Sequence, residues 1–370
     1  MRNDVTLTSP LYANDLPLKT ITMDTDDLKT ENSGHPYMAL TPDTVLDAID
    51  SQAQLAGGRS DGRQLALNSY ENRVYQVGID DQQPIIAKFY RPNRWSDAAI
   101  QEEHDFAEEL AQSEIPAVAP LRDSTGASLF EYAGFRFALY PRRGGRTPDL
   151  EDPDNLVWMG RFLGRIHAIG ATQNFQHRPT LDIESFGWES YRYIMSTGFV
   201  PKDLHAAYTS LVEDVLKQAH MGFERAGLTS ASASKVTQLR LHGDCHPGNI
   251  LWTEGGPHFV DFDDARTGPA IQDLWMLLSG DRPQMTGQID EILAGYTEFM
   301  DFNPRELHLI EPLRTLRMIH YSAWLARRWD DPTFPMHFPW FAEPRYWEEQ
   351  ILALREQAAM MNEEPLRWMG

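Results

Sequence analysis

The chain has 370 residues, 42% of them hydrophobic and ten of them Trp, enough to bury a substantial core and of a length that suits two lobes of one enzyme. Acidic residues outnumber basic ones 54 to 33, a net charge of -21 that argues against an electrostatic grip on nucleic acid or on an anionic membrane. The single cysteine, Cys245, excludes an internal disulfide framework and fits a reducing compartment.

The N-terminus shows no apolar stretch behind basic residues of the kind a secretory signal needs. The most apolar C-terminal segment, residues 307–329, is broken by Glu311, Pro312, Arg314, Arg317, Arg327 and Arg328, which a spanning helix does not tolerate. A cytoplasmic protein that binds neither nucleic acid nor membrane is expected. Residues 1–38 are rich in Asp, Thr, Asn, Pro and Ser and read as a flexible tail. Thr41 and Pro42 offer a helix start, as N-cap and first-turn residue.

An N-lobe is expected over residues 39–143. Residues 64–68, 73–77 and 84–90 read as strands, 98–111 as a helix, and 117–121, 128–132 and 135–140 again as strands. After Pro141-Arg142-Arg143-Gly144-Gly145 the pattern changes. Residues 155–168, 202–225, 270–278, 304–328 and 346–361 carry helical spacing, so residues 144–370 are expected to form a larger helical C-lobe. The resulting class is α+β and bilobal, with a small, mostly antiparallel β lobe.

The segment that carries chemistry is Leu241-His242-Gly243-Asp244-Cys245-His246-Pro247-Gly248-Asn249, with Asp261 twelve positions after the asparagine. Ile250-Leu251-Trp252 and His258-Phe259-Val260 flank a Glu-Gly-Gly-Pro turn. A hairpin there brings Asn249 beside Asp261. Two oxygen ligands then face one ion, while Asp244 projects from an irregular loop kept from helix by Pro247 and Gly248. Phosphoryl transfer from Mg-ATP needs this set: Asp244 as base, Asn249 and Asp261 as metal ligands. A zinc site from His242, Cys245 and His246 is the rival reading, but it lacks a fourth ligand nearby in sequence and leaves Asn249 and Asp261 unexplained.

Lys88 is the one cation in the apolar strand Ile85-Ile86-Ala87-Lys88-Phe89-Tyr90, and a Lys there paired with a Glu on the next helix orients the α/β-phosphates in kinase-like folds. Of Glu102 and Glu103, the latter lies on the stripe of Phe106 and Leu110 and is preferred. Ser69, in Leu67-Asn68-Ser69-Tyr70-Glu71-Asn72-Arg73, stands where a glycine-rich phosphate loop would be. A plain Ser-stabilised turn explains it equally well. Residues 137–141 are expected to meet the adenine.

Together these residues resemble the aminoglycoside and choline kinase-like phosphotransferases, where H-G-D stands for the H-R-D of protein kinases. Residues 67–75, 87–92, 239–252 and 259–278, with 311–329, are similar to the bacterial stress response kinase A family. The resemblance implies an ATP- and Mg2+-dependent Ser/Thr protein kinase of a stress response, and a monomer is expected. It implies Asp244 as proton acceptor, Asn249 and Asp261 on magnesium, Lys88 and Glu103 on the phosphates, and Ser69 in the nucleotide loop. Asp263 and Asp264 are read as solvated carboxylates, and Asp273 as a support of the catalytic loop through backbone hydrogen bonds. With Gly243 in place of the arginine that meets an activation-loop phosphate, the site is expected to assemble without phosphorylation. A small-molecule kinase and a non-catalytic ATP-binding regulator are the alternative readings.

Overall fold

The computed structural model describes residues 37–228 and 236–370. The expected tail lies outside these residues except for Tyr37 and Met38. Tyr37 is buried, its ring parallel to that of Phe135 at 6.3 Å between centroids.

The small lobe begins with α1 (Pro42–Asp50) and α2 (Ala53–Ala56). Thr41 caps α1 by accepting the Thr44 N–H at 3.2 Å, with Pro42 in the first turn. Strands β1 (Ser60–Ala66), β2 (Arg73–Ile79), β3 (Ile85–Phe89), β4 (Phe130–Tyr132) and β5 (Phe135–Pro141) form one antiparallel sheet in the order β1-β2-β3-β5-β4. Helix α3 (Asp97–Gln112) connects β3 to β4. Val77, Ala87, Phe89, Phe137 and Leu139 pack with Val45 and Ile49 of α1 in this lobe's core.

Residues 117–121 are not the strand their composition suggests. Pro116 and Pro120 remove ladder donors. The segment is held by single bonds, from Val118 N–H to Phe259 O (2.9 Å) and from Leu121 N–H to Leu139 O (2.7 Å).

The large lobe holds α4 (Pro153–Gly170), α5 (Glu189–Thr197), α6 (His205–Ala226), α7 (Ile271–Trp275), α8 (Arg282–Tyr296), α9 (Ile310–Arg327), α10 (Thr333–His337) and α11 (Pro344–Met361). Among them lie two antiparallel pairs, β6 (Gln238–Leu241) with β9 (Arg266–Pro269) and β7 (Ile250–Thr253) with β8 (Gly256–Phe259). Residues 304–328, expected as one helix, form a 3-10 turn over Pro304–Leu309 and then α9.

Helix α8 is not among the helices expected from the sequence, although Asp281 and Gln284 form a capping box at its start; Gly295 stands among the apolar residues of its buried face. Gly295 and Gly160 of α4 have a packing role. A Cβ on Gly160 of α4 would lie 1.9 Å from Ile292 O, and one on Gly295 2.0 Å from Val157 O, so the two helix backbones touch where side chains normally separate them.

Candidate active site

The site sits where the two strand pairs meet the loop between β6 and β7. Pairing of Ile250 with Phe259, extended by Val260 N–H to Asn249 O at 3.0 Å, sets Asn249 beside Asp261. Asn249 Nδ2 donates to the Asp244 carbonyl at 2.9 Å, which ties asparagine to loop and leaves its amide oxygen as an acceptor. Asp261 has φ 60° and ψ 65°, a left-handed conformation that a non-glycine residue adopts at a cost. Its carboxylate is 48% exposed.

Asp273, at the start of α7, anchors the other end of the loop. Its two oxygens accept the His242 and Gly243 N–H groups, each at 2.9 Å. The buried His167 of α4 meets the same carboxylate at 3.1 Å and Tyr296 at 3.1 Å. His242 Nε2 donates to Val260 O at 2.9 Å, so its ring spans the loop and the hairpin. Gly243 has φ +85°, and a Cβ there would lie 2.1 Å from Asp264 O. No side chain fits, which is why the arginine of H-R-D has no place here.

The Asp244 carboxylate is 22% exposed and takes Arg317 Nη1 of α9 at 2.5 Å. Burial alone would raise its pKa, but Arg317, with His246 at 3.5 Å, holds it well below the usual carboxylate range. Burial lowers the His246 pKa.

Across the cleft, Lys88 of β3 bonds Glu103 of α3 at 2.9 Å, Asp261 at 3.1 Å and approaches Asp263 at 3.4 Å. Helix α3 turns its two acids to different partners. Glu103 is buried on Lys88, whereas Glu102 accepts the Gln176, His177 and Arg178 N–H groups at 2.6, 2.8 and 2.9 Å. Burial works to lower the Lys88 pKa, yet Asp263, Glu103 and Asp261 hold it well above its ordinary value. Burial pushes Glu103 up to about 7 against the pull of Lys88, while Lys88 itself stays charged.

Asp263 and Asp264 correct the expectation of solvated carboxylates. Asp263 is only 3% exposed, pairs with Arg94, and its backbone carbonyl receives Arg178. Arg94 also bonds Asp264 at 2.8 Å, and Asp264 in turn bonds Arg266 at 2.8 Å. Arg94, Arg178 and Arg317 carry no local sequence signal, because each reaches its partner from an element distant in the chain.

Ser69 lies half-buried in the turn between β1 and β2, which the next residues fasten to the large lobe. Glu71 receives Trp324 Nε1 at 2.6 Å and Arg328 at 2.9 Å, and the Tyr70 ring packs on Phe338 with centroids 4.8 Å apart. The zinc reading finds no support: His242 and His246 are turned to Val260 O and to the Gly248 N–H, and burial raises the Cys245 thiol pKa well above normal. Among the described residues, no group of three or more His, Cys, Asp or Glu converges as a metal cage, and no helix is long and apolar enough to cross a membrane.

Residues 63–310 match the model of the phosphotransferase enzyme family. The chain is 43% identical over 336 residues to stress response kinase A of Escherichia coli K12, covering 91% of this chain and 98% of the relative. It is 40% identical over 331 residues to serine/threonine protein kinase RdoA of Salmonella typhimurium, covering 90% and 96%. Among solved structures, amicoumacin kinase in complex with AMP-PNP, Ca2+ and amicoumacin superposes with a TM-score of 0.65 at 17% identity, covering 86% of this chain and 94% of that one. A microcompartment-associated aminopropanol kinase superposes at 0.62 and 19%, covering 86% and 98%. These likenesses show the bilobal kinase-like fold.

Proposed function

This chain belongs to the phosphotransferase enzyme family, and we propose that it is a Mg-ATP-dependent kinase that phosphorylates Ser or Thr hydroxyls of proteins in a bacterial stress response. The observation that carries the kinase reading is the convergence of Asp244, Asn249 and Asp261 opposite the Lys88–Glu103 pair. The protein substrate and the stress role rest on likeness to relatives with those names. A cytoplasmic location goes with the supply of ATP.

The residues suit magnesium. Asp261 and the Asn249 amide offer hard oxygen donors and no more, and magnesium is commonly held by one or two protein oxygens together with substrate phosphates. When bound, the ion neutralises charge on the phosphates. Lys88, kept in place by Glu103 and Asp263, is the cation for the α/β-phosphates, and the turn around Ser69 covers them. Residues 137–141 flank the adenine.

Asp244 accepts the hydrogen bond of the substrate hydroxyl and takes its proton as the oxygen bonds to the γ-phosphorus and ADP departs. Before substrate binds, Arg317 holds the Asp244 pKa down, so Asp244 is ionised and ready to orient the hydroxyl before it takes the proton. Asp273 keeps the loop in register through two backbone bonds.

The test is incubation of the purified protein with radiolabelled Mg-ATP, general protein substrates and a panel of small hydroxyl compounds, with Asp244→Asn as control. Label on Ser or Thr, falling about 10²- to 10⁴-fold in the mutant, is expected. Efficient transfer to a small molecule alone overturns the protein-substrate reading, and tight ATP binding without turnover overturns the enzyme.

A further inference from the structure

Arg317 lies outside the residues assigned above, yet it touches the group at the centre of them. Its Nη1 stands 2.5 Å from Asp244 Oδ1, and its side chain is 44% exposed. The helix does not need this contact. Helix α9 is anchored on its opposite face by Leu316, Ile319 and Ala323, all buried, and an ion pair this exposed adds little to folding. The other neighbour of the carboxylate, His246, stays 3.5 Å from Oδ2. The guanidinium is therefore the one fixed positive charge on Asp244 among the described residues.

We propose that Arg317 is a catalytic residue that binds the equatorial oxygens of the transferring γ-phosphoryl group. This rests on the kinase reading of the site. A hydroxyl bonded to Asp244 sits roughly 2.7 Å from a carboxylate oxygen, and its oxygen lies roughly 3 to 3.5 Å from the phosphorus it attacks. A donor on the same carboxylate is thus within a side-chain rotation of the phosphoryl oxygens. Lys88 is held on the other side of the cleft by Glu103 and Asp263 and serves the α/β-phosphates, which leaves Arg317 as the side-chain cation that stands beside the base of the hydroxyl. Without substrate Arg317 rests on Asp244; with the hydroxyl in place it turns to the phosphoryl. The planar guanidinium forks onto two oxygens as charge spreads over them. Arg317 moves no proton: the hydroxyl proton goes to Asp244, the new O–P bond forms as the bond to the bridging oxygen breaks, and the charge leaves on ADP.

The test compares wild type, Arg317→Gln, Arg317→Lys and Arg317→Ala, each checked for unchanged melting temperature. Loss of one such donor is expected to lower kcat about 10²- to 10³-fold with the KM for ATP little changed. Arg317→Lys is expected to keep part of the rate and guanidinium ion to restore part of it to Arg317→Ala. A second measurement needs no turnover. Aluminium fluoride, which mimics the transferring phosphoryl, is expected to tighten binding of ADP and magnesium to wild type and not to Arg317→Gln, while ADP alone binds both equally. An intact kcat with a raised KM for the hydroxyl substrate overturns the proposal, as does fluoride tightening equal in both proteins or absent from wild type. Absence of turnover in wild type strikes the kinase reading instead, and the fluoride comparison still decides the role of Arg317.

Discussion

Glu71, in the turn between β1 and β2, holds Arg328, just past the end of α9, by contacts of 2.9 to 3.1 Å. The pair joins this turn of the small lobe to the large lobe. Arg91, bonded to Glu71 at 3.0 Å and to Asp331 at 2.7 Å, and Arg73, bonded to Asp331 at 3.0 Å, extend the seam. In this structure the turn and the large lobe are one packed unit.

Breaking that seam is expected to cost stability and nucleotide affinity together. Burial alone would raise the Glu71 pKa, but Arg94, Arg328 and Arg91 hold it below the ordinary value, so its contribution is present above the ordinary carboxylate range and fades as pH falls below it. Glu71→Gln leaves three arginines short of a partner and is expected to cost roughly 2 kcal/mol, a buried-pair loss discounted for partial exposure. Thermal unfolding and the ATP KM measure it; an unchanged KM with lowered stability limits the seam to folding.

Gly243 allows no side chain. Gly243→Ala places a Cβ 2.1 Å from Asp264 O at φ +85°, and left-handed strain alone costs roughly 1 to 3 kcal/mol. Loss of most activity with a lowered denaturation midpoint is expected. Gly243→Arg, which rewrites the loop as H-R-D, is expected to be worse, and a well-folded, active Gly243→Arg contradicts the geometry.

Glu306 is expected to give stability a pH dependence away from the cleft. It is 4% exposed and accepts the Ile271 N–H at the start of α7 at 2.9 Å. Burial raises its pKa to about 7 from 4.5, against the pull of the Ile271 and Ala270 N–H groups. The folded state therefore favours the neutral acid. Its contribution is full below pH 4.5 and is lost as pH rises to about 7, a swing of about 3 kcal/mol at most. Glu306→Gln keeps an acceptor for Ile271 and removes the titration. Denaturant unfolding from pH 4.5 to 8 is expected to give a flatter profile in the mutant, and identical slopes in both proteins count against a neutral Glu306.

Phosphatase treatment is expected to leave kinase activity within about two-fold, because the loop from Asp261 to Asp264 is held by Arg94, Arg178 and Lys88 rather than by a phosphate. Activity measured before and after treatment, with mass spectrometry to confirm removal of phosphate, decides it. A large loss on dephosphorylation overturns the expectation.

Much of this protein was legible in its sequence wherever the information is local. The hairpin of β7 and β8 follows from two apolar runs around a glycine turn. Lys88 lies on a strand and Glu103 on the next helix; the pairing was expected from the pattern of kinase-like folds, and the stripe of Phe106 and Leu110 chose Glu103 over Glu102. The order of strand-rich and helical segments marked the bilobal class, and the spacing of Asp244, Asn249 and Asp261 is what the proposed phosphoryl transfer starts from. What tertiary structure decided is the surroundings of those residues. Asp263 and Asp264 look like solvated acids because their partners Arg94 and Arg178 lie far away in the chain, and burial of Asp263 then makes pairing obligatory. Arg317 follows Asp244 by more than seventy positions, and Glu71 meets Arg328 across the two lobes. A side chain's charge is written in the sequence, but the charge it meets depends on how separate elements pack, which local spacing does not record.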